Sequence, residues 1–436
     1  MERRQFLKYA LTGTLSLPAF TILGQCGSNK AVQKQSALVN KQRVLFLGDS
    51  ITQDGTYINY IETFLTVKYP EKNLEIIDLG LSSETVCGLT EPKHPYPRPN
   101  VNDRLPRILE RVNADIVVAC YGMNDGIYAP LDQNRFKAYQ DGILKMVNAI
   151  KETGATLYLL TPPPHDAQPV KPKVVPETHS PFTFDTPFEK YDAVLKEYGD
   201  WIKSLQIPGV IPVDIHQPMN DFLFAQRTVT PDFFLARDGV HPGPLGHWIM
   251  AITLLNAWGE SPMATIAEID ARKKRARQGN IKNLVVKDEA LSFSWPVHLA
   301  FQFNSTLPDG MRNLETKLLK HLLYIKNYPF PRANLVEGET VIATLSSQQL
   351  ADGVDLSAFP ALSLNKRSVK LLNMIGQKRR IYDYSLLFDI GHTLPTGMTP
   401  MPLDKATLRA DELKLQIKEL AFPLPVEMRL VPVVSE

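Results

Sequence analysis

The chain has 436 residues, 44% of them hydrophobic and 22% charged, with a formal net charge of +2. That length allows two or three domains, the composition is that of an ordinary globular protein, and the near-neutral balance leaves no electrostatic footprint for nucleic acid. The three cysteines cannot form a disulfide framework, and no Cys/His spacing or Gly-rich loop suits a metal or a phosphate cofactor, so no cofactor is expected.

Residues 1–40 read as an export signal and linker. Arg3 and Arg4 followed by Gln5-Phe6-Leu7-Lys8 resemble the twin-arginine export signal. The uncharged stretch Tyr9 to Gly24 is too short and too rich in Gly, Thr and Pro for a membrane span. Leu23-Gly24-Gln25-Cys26 is similar to a bacterial lipoprotein cleavage box, with Gln25 where a small residue is usual. A lipid anchor at Cys26 is compatible with this pattern, and the alternative to export is an uncleaved N-terminus without order. Lys30 to Asn40 reads as a polar linker with no packed place in a core. The expectation is export, to the periplasm or the cell surface.

From Arg43 the chain alternates short apolar runs with helical patterns. Val44 to Leu47 reads as a buried strand, broken by Gly48 and followed by Asp49 and Ser50. Tyr57 to Leu65 repeats its apolar residues every three or four positions, as on a helix face. Further strands are expected over Leu74–Leu79, Asp115–Tyr121, Thr156–Leu160 and Val210–Ile215. Helices are expected over Arg104–Asn113, Phe136–Glu152, Lys190–Leu205 and Leu245–Trp258. Such alternation predicts a parallel sheet with helices on both faces, an α/β sandwich of three layers, whose ligands bind beyond the carboxyl ends of the strands.

Each polar cluster follows a strand. Ser50 sits where β turns to α; it either caps a helix or points a hydroxyl into a crevice near backbone N–H groups. Gly80 follows the second strand, Gly122-Met123-Asn124-Asp125 the third, and Arg237-Asp238-Gly239-Val240-His241 precedes the last helix. Asp238 and His241 are spaced so that a carboxylate can reach an imidazole N–H in a turn. A serine hydroxyl needs such a base to become a nucleophile. Asn124 offers an amide donor for an oxyanion, against the alternative of turn capping. Asp49 and Asp125 read as loop-holding residues. His165, after the fourth strand, is a candidate for the substrate rim. His94, His179 and His216 have no supporting pattern, and His247 and Cys120 read as packing residues.

Gly48-Asp49-Ser50-Ile51, Gly80, Gly122-x-Asn124-Asp125 and Asp238-x-x-His241 resemble, in order, the four sequence blocks of the SGNH (GDSL-type) hydrolases. The likeness covers Arg43 to Gly259, and Ile51 stands where the family name has Leu. The resemblance implies a flavodoxin-like α/β/α hydrolase fold with Ser50 as nucleophile, His241 as base and Asp238 as orienting acid. It also implies an oxyanion hole made by the backbone N–H groups of Ser50 and Gly80 and the Asn124 amide.

His165 to Phe188 is a long Pro-rich insertion, either a wall or lid beside the site or a surface loop without order. Beyond Gly259 the composition changes. Met263–Gln278 and Leu314–Tyr328 read as helices, Asn283–Phe303 as short strands, Lys366–Tyr384 and Leu403–Leu420 as helices, and Val426–Val434 as a closing strand. The stretch from Asn334 to Leu356 resembles the C-terminal region of one group of bacterial SGNH hydrolases. The expected organisation is therefore signal and linker 1–40, hydrolase domain 41–260, and a mixed α/β accessory region 261–436. The expected function is a serine esterase for carboxylic esters with a short acyl group, on a small-molecule or glycan alcohol, with acetyl on a carbohydrate as one form. The alternatives are a lipase or lysophospholipase, and a non-catalytic glycan-binding protein on the same fold. Nothing in the sequence points to an oligomeric state.

Overall fold

The first apolar run becomes strand β1 (Arg43–Gly48), buried at every residue after Arg43 because helices cover both of its faces. The computed structural model describes residues 36–303, 315–392 and 399–433; the expected export signal and Cys26 lie outside the described residues. After β1 come α1 (Ser50–Asp54), α2 (Thr56–Lys68), β2 (Glu75–Asp78), α3 (Val101–Val112), β3 (Ile116–Cys120), α4 (Gln133–Glu152), β4 (Thr156–Leu160), α5 (Tyr191–Ser204), β5 (Val210–Val213), α6 (His216–Arg227) and α7 (Pro244–Ala257). The five strands are parallel in the order β2-β1-β3-β4-β5, the flavodoxin-like arrangement expected from the sequence. The order reverses at β1, between β2 and β3, so the crevice beyond the carboxyl ends of β1 and β3 is where a ligand is expected.

The linker reading needs one correction. Leu38 is only 2% exposed and packs into the main core, and the Ala37 N–H donates to the Trp258 carbonyl at 2.8 Å. An apolar side chain one turn before β1 is worth more in the core than in water, so the packed chain begins ahead of residue 41.

Beyond α7 the chain forms two further sheets. One contains β6 (Met263–Asp270), β7 (Arg275–Gln278), and, later in the chain, β10 (Phe301–Gln302), β11 (Lys317–Lys326) and β14 (Val354–Asp355). The other is antiparallel, ordered β13-β12-β15-β9-β8, from β8 (Lys282–Lys287), β9 (Ala290–Val297), β12 (Arg332–Glu337), β13 (Thr340–Ser346) and β15 (Leu424–Pro432). Helices α8 (Ser347–Asp352), α9 (Ser363–Asp389) and α10 (Leu403–Ala421) complete the region.

Two expected helices here are strands. Met263–Gln278 splits into β6 and β7, with Ala267 and Ile269 buried on one face and Arg272-Lys273-Lys274 spent on the turn. Leu314–Tyr328 is β11, whose Leu319, His321, Leu323 and Ile325 alternate inward. Its run of apolar and basic residues fits either period, and eight parallel partners along β6 decide for the strand. The helices expected over Lys366–Tyr384 and Leu403–Leu420 form as parts of α9 and α10, and α9 lies against α2 and β2 of the parallel sheet.

Candidate active site

Gly48 ends β1, and Asp49 turns the chain into α1 by accepting from the Ile51 N–H at 3.0 Å. Ser50 is therefore the first residue of α1, at the carboxyl edge of the sheet, with its N–H among the donors a helix start leaves free. Its Oγ lies 2.7 Å from His241 Nε2. The other ring nitrogen, Nδ1, lies 2.7 Å from Asp238 Oδ2. A carboxylate only accepts, so Nδ1 carries the proton and Nε2 is left to accept from the Ser50 hydroxyl.

The loop that carries both Asp238 and His241 is pinned on itself. Asp238 Oδ1 accepts from the Val240 and His241 N–H groups at 3.0 and 2.8 Å. Gly239, between them, takes φ +82° and exchanges bonds with Ala236 and Asp166, and a Cβ there would come within 2.8 Å of the Asp166 carbonyl. Burial raises the Asp238 carboxyl, but the His241 ring and the two N–H groups outweigh it and hold the acid well below the usual carboxylate range. For His241, burial disfavours the charged ring, and Asp238 more than offsets this, so its pKa lies above the ordinary 6.5. The arrangement can thus take a proton from Ser50 and hold the resulting imidazolium.

Ser50 and His241 open onto a cavity of about 710 Å³. One wall is the segment after β2: Ser82, Ser83, Glu91, Lys93, His94, Pro95 and Arg98. The opposite wall is the Pro-rich insertion, contributing His179 to Pro181 and Thr183 to Thr186. The insertion is an ordered wall rather than a loose loop. Val175 bonds the Pro187 carbonyl at 2.9 Å, Phe188 bonds that of Tyr128 at 2.8 Å, and the Phe184 ring stands 6.4 Å from that of His241. His94 and His179, which nothing in the sequence singled out, therefore line the cavity.

Asn124 is 4% exposed and lines the floor. One amide hydrogen goes to the Glu84 carbonyl at 3.1 Å, and the Tyr128 hydroxyl donates to its Oδ1 at 3.0 Å, which fixes the amide orientation and leaves the second N–H for a ligand. Asp125 accepts from the Val86 and Cys87 N–H groups and holds that loop, as expected.

Two expected site residues lie elsewhere. Gly80 does not line the cavity; its N–H donates to Asp78 Oδ1 at 2.9 Å. Its missing side chain instead makes room for α1, since a Cβ would sit 2.4 Å from the Gln53 nitrogen. The neighbouring residue that does line the cavity is Ser83, whose backbone is held at φ +66° with Arg98 Nη1 donating to its carbonyl at 3.1 Å. No protein acceptor engages the Ser83 N–H among the described residues. Arg98 is itself locked by a two-point pairing with Glu91, at 2.6 and 2.5 Å, and stands over the Tyr128 ring. His165 is not at the rim. It is 4% exposed, edge-on to Tyr191, under the Asp238–His241 loop, because its N–H is drawn down to Asp192 of α5. Burial without a partner pushes its pKa to about 4.

The last helices also reach the site from behind. Arg379 of α9 donates to the Gln53 carbonyl at 3.2 Å, to the Asp54 carbonyl and to Asp78 Oδ2 at 2.6 Å. His247 stacks on Tyr57 at 5.9 Å and faces Asp54 at 3.3 Å, a packing role as read from the sequence. Arg379 carries no sequence signal, since its partners lie more than three hundred positions away.

Residues 46–249 match the model of the GDSL-like lipase/acylhydrolase family. No curated protein is similar in sequence. Among solved structures, a gut microbial diltiazem-metabolizing enzyme, BT4096, is 17% identical with a TM-score of 0.73, and the likeness covers 92% of this chain and 100% of that one. At that identity it shows the fold, and its span shows that the C-terminal sheets are part of the shared architecture. Axe2, an acetylxylan esterase from Geobacillus stearothermophilus, is 22% identical over 51% of this chain and 97% of its own, with a TM-score of 0.35. Four ordered sequence blocks and the sheet order agree with the family match: residues 46–249 of this chain are similar to the GDSL-like lipase/acylhydrolase family.

Proposed function

We propose that the protein is a serine esterase that cleaves short-chain carboxylic esters, including acetyl esters of carbohydrates, through an acyl-enzyme. The observation that carries this is the unbroken hydrogen-bonded line Ser50–His241–Asp238 at the floor of an open cavity. Ser50 Oγ attacks the ester carbonyl as its proton passes to His241 Nε2. The carbonyl oxygen, now negative, is met by the Ser50 N–H and the Asn124 amide, with the Ser83 N–H in place of the one expected from Gly80. The tetrahedral intermediate collapses as His241 returns the proton to the leaving alkoxide. Water, deprotonated by the same ring, then releases the acid and regenerates Ser50.

The cavity supports the substrate class. Its lining mixes many polar side chains with the apolar surfaces of Pro95, Tyr128, Pro181 and Phe184, which suits a hydroxyl-rich alcohol beside a small acyl group. The test is covalent labelling by a fluorophosphonate, read by intact mass, together with hydrolysis of aryl esters of graded chain length and of acetylated sugars. Labelling lost in Ser50→Ala and rates highest for acetyl esters support the reading. Preference for octanoyl and longer esters points to a lipase, and absence of labelling to a glycan-binding protein. The Arg3-Arg4 and Cys26 motifs support export, with or without a lipid anchor. Cell fractionation of an Arg3→Lys/Arg4→Lys variant and of Cys26→Ser separates the two.

A further inference from the structure

Helix α10 carries an apolar line that no described residue covers. Leu408 and Leu415 are 68% and 66% exposed, and Met401 and Phe422, just outside the two helix ends, are 41% and 42% exposed. The four recur every seven positions, close to two helical turns, so they form one stripe. The opposite face of α10 is already used: Ala406, Ala410, Leu413, Ile417 and Ala421 are buried. The fold of one chain therefore does not need the stripe, and contiguous exposed apolar surface of this kind marks an interface.

The charges beside the stripe say what it meets. On one flank Lys405 and Arg409 occupy the first half of the helix, and Glu412 and Glu419 the second. On the other flank Asp404 and Asp411 come first and Lys418 last. A second copy of the helix, running antiparallel about a two-fold axis beside Asp411 and Glu412, sets Leu408 against the partner's Leu415 and Met401 against the partner's Phe422. It also sets Lys405 opposite the partner's Glu419, and Asp404 opposite the partner's Lys418. Antiparallel helices oppose their dipoles favourably, and a self-complementary patch is what a two-fold dimer requires. Arg409 and Glu412 now pair with each other at 2.6 Å on the surface, a contact weak enough to be exchanged.

We propose that this stripe is the dimer interface of the protein, an antiparallel pairing of α10 with α10 of a second copy. The proposal does not depend on the catalytic reading. One helix pair buries less than the roughly 1,600 Å² of a standard interface, so the dimer is expected to be in exchange with monomer and concentration-dependent.

The test is sedimentation velocity of the full chain from about 1 to 200 μM, a range set by that interface size. The wild type is expected to pass from monomer to twice the monomer mass. Leu408→Glu/Leu415→Glu is expected to stay monomeric, with unchanged melting temperature and ester hydrolysis. Lys405→Glu is expected to weaken the dimer about tenfold or more, and Lys405→Glu/Glu419→Lys to restore it. A wild type that stays monomeric throughout overturns the proposal. So does a dimer that survives the double leucine variant, or a charge reversal without rescue. A monomer that sediments with phosphatidylglycerol vesicles, and ceases to when both leucines are replaced, assigns the stripe to a membrane surface and overturns it as well.

Discussion

Arg379 and Asp78 form a buried ion pair, Nη1 to Oδ2 at 2.6 Å, across 301 positions of sequence. The pair ties α9 to the turn after β2, and the same guanidinium accounts for the carbonyls at the end of α1. A five-residue helix cannot hold itself, because its last carbonyls lack intrahelical donors. Since Ser50 is the first residue of α1, Arg379 of the C-terminal region braces the helix that carries the proposed nucleophile.

Arg379→Met should accordingly lower both stability and rate. It leaves Asp78 as an unpaired buried carboxylate, at a cost of about 3–5 kcal/mol. Thermal unfolding should show the loss. In the protein that stays folded, fluorophosphonate labelling of Ser50 should slow by tenfold or more with KM little changed, as expected of misplacement rather than weaker binding. Arg379→Lys should recover part of both. Equal labelling rates in wild type and Arg379→Met would mean that α1 keeps its place without the guanidinium.

The acid and base predict a pH profile with a definite sign. In the proposed mechanism His241 acts as base only when neutral, so kcat/KM should rise with pH through a pKa above the ordinary 6.5. The same raised pKa has the opposite effect on stability: its contribution is complete below 6.5 and is lost as pH climbs through the folded-state value. Asp238→Asn should shift the kinetic limb downward and cut kcat by about 10⁴-fold, because an amide there can hold the wrong tautomer. A profile that keeps its limb in Asp238→Asn would remove Asp238 from the mechanism.

Asn124 and Gly80 should separate by kinetics. Asn124→Ala removes an oriented donor, and kcat should fall by about 10²-fold or more while KM holds. Gly80→Ala forces a Cβ to 2.4 Å from the Gln53 nitrogen, so its main effect should be a lower melting temperature. Ser83→Gly should be tolerated, because glycine adopts φ +66° at no steric cost and keeps the N–H. Steady-state kinetics beside thermal melts decide all three.

Two histidines outside the site should make the fold sensitive to acid. His165 and His321 are buried, and burial pushes each pKa to about 4. The unfolded chain takes up protons from 6.5 downward while the folded one resists, so stability falls as pH drops from 6.5 toward 4. Replacing each by Phe should flatten that slope in urea titrations at pH 4.5 and 7. An unchanged slope would mean that other groups, His247 and His392 among them, carry the acid response.

Much of the site was legible in the chain. Ser50, Asn124, Asp238 and His241 each follow a strand or precede a helix at the sheet edge, and local grammar places them there: a β-branched run, a glycine break, a capping carboxylate. The spacing of Asp238 and His241 is a turn, so their contact is local and readable. The long helices α9 and α10 were equally plain from period alone. What stayed hidden depended on partners distant in sequence. Runs such as Lys317–Lys326 carry both periods, and only pairing with β6 makes them strands. Gly80 looked like a donor because nothing nearby shows that Asp78 takes its N–H, while Ser83 gained its place from Arg98 on a separate loop. His165 and Arg379 behave alike in this respect. A side chain's burial and its acceptors are sums over segments that meet only after folding, and no window of sequence contains them.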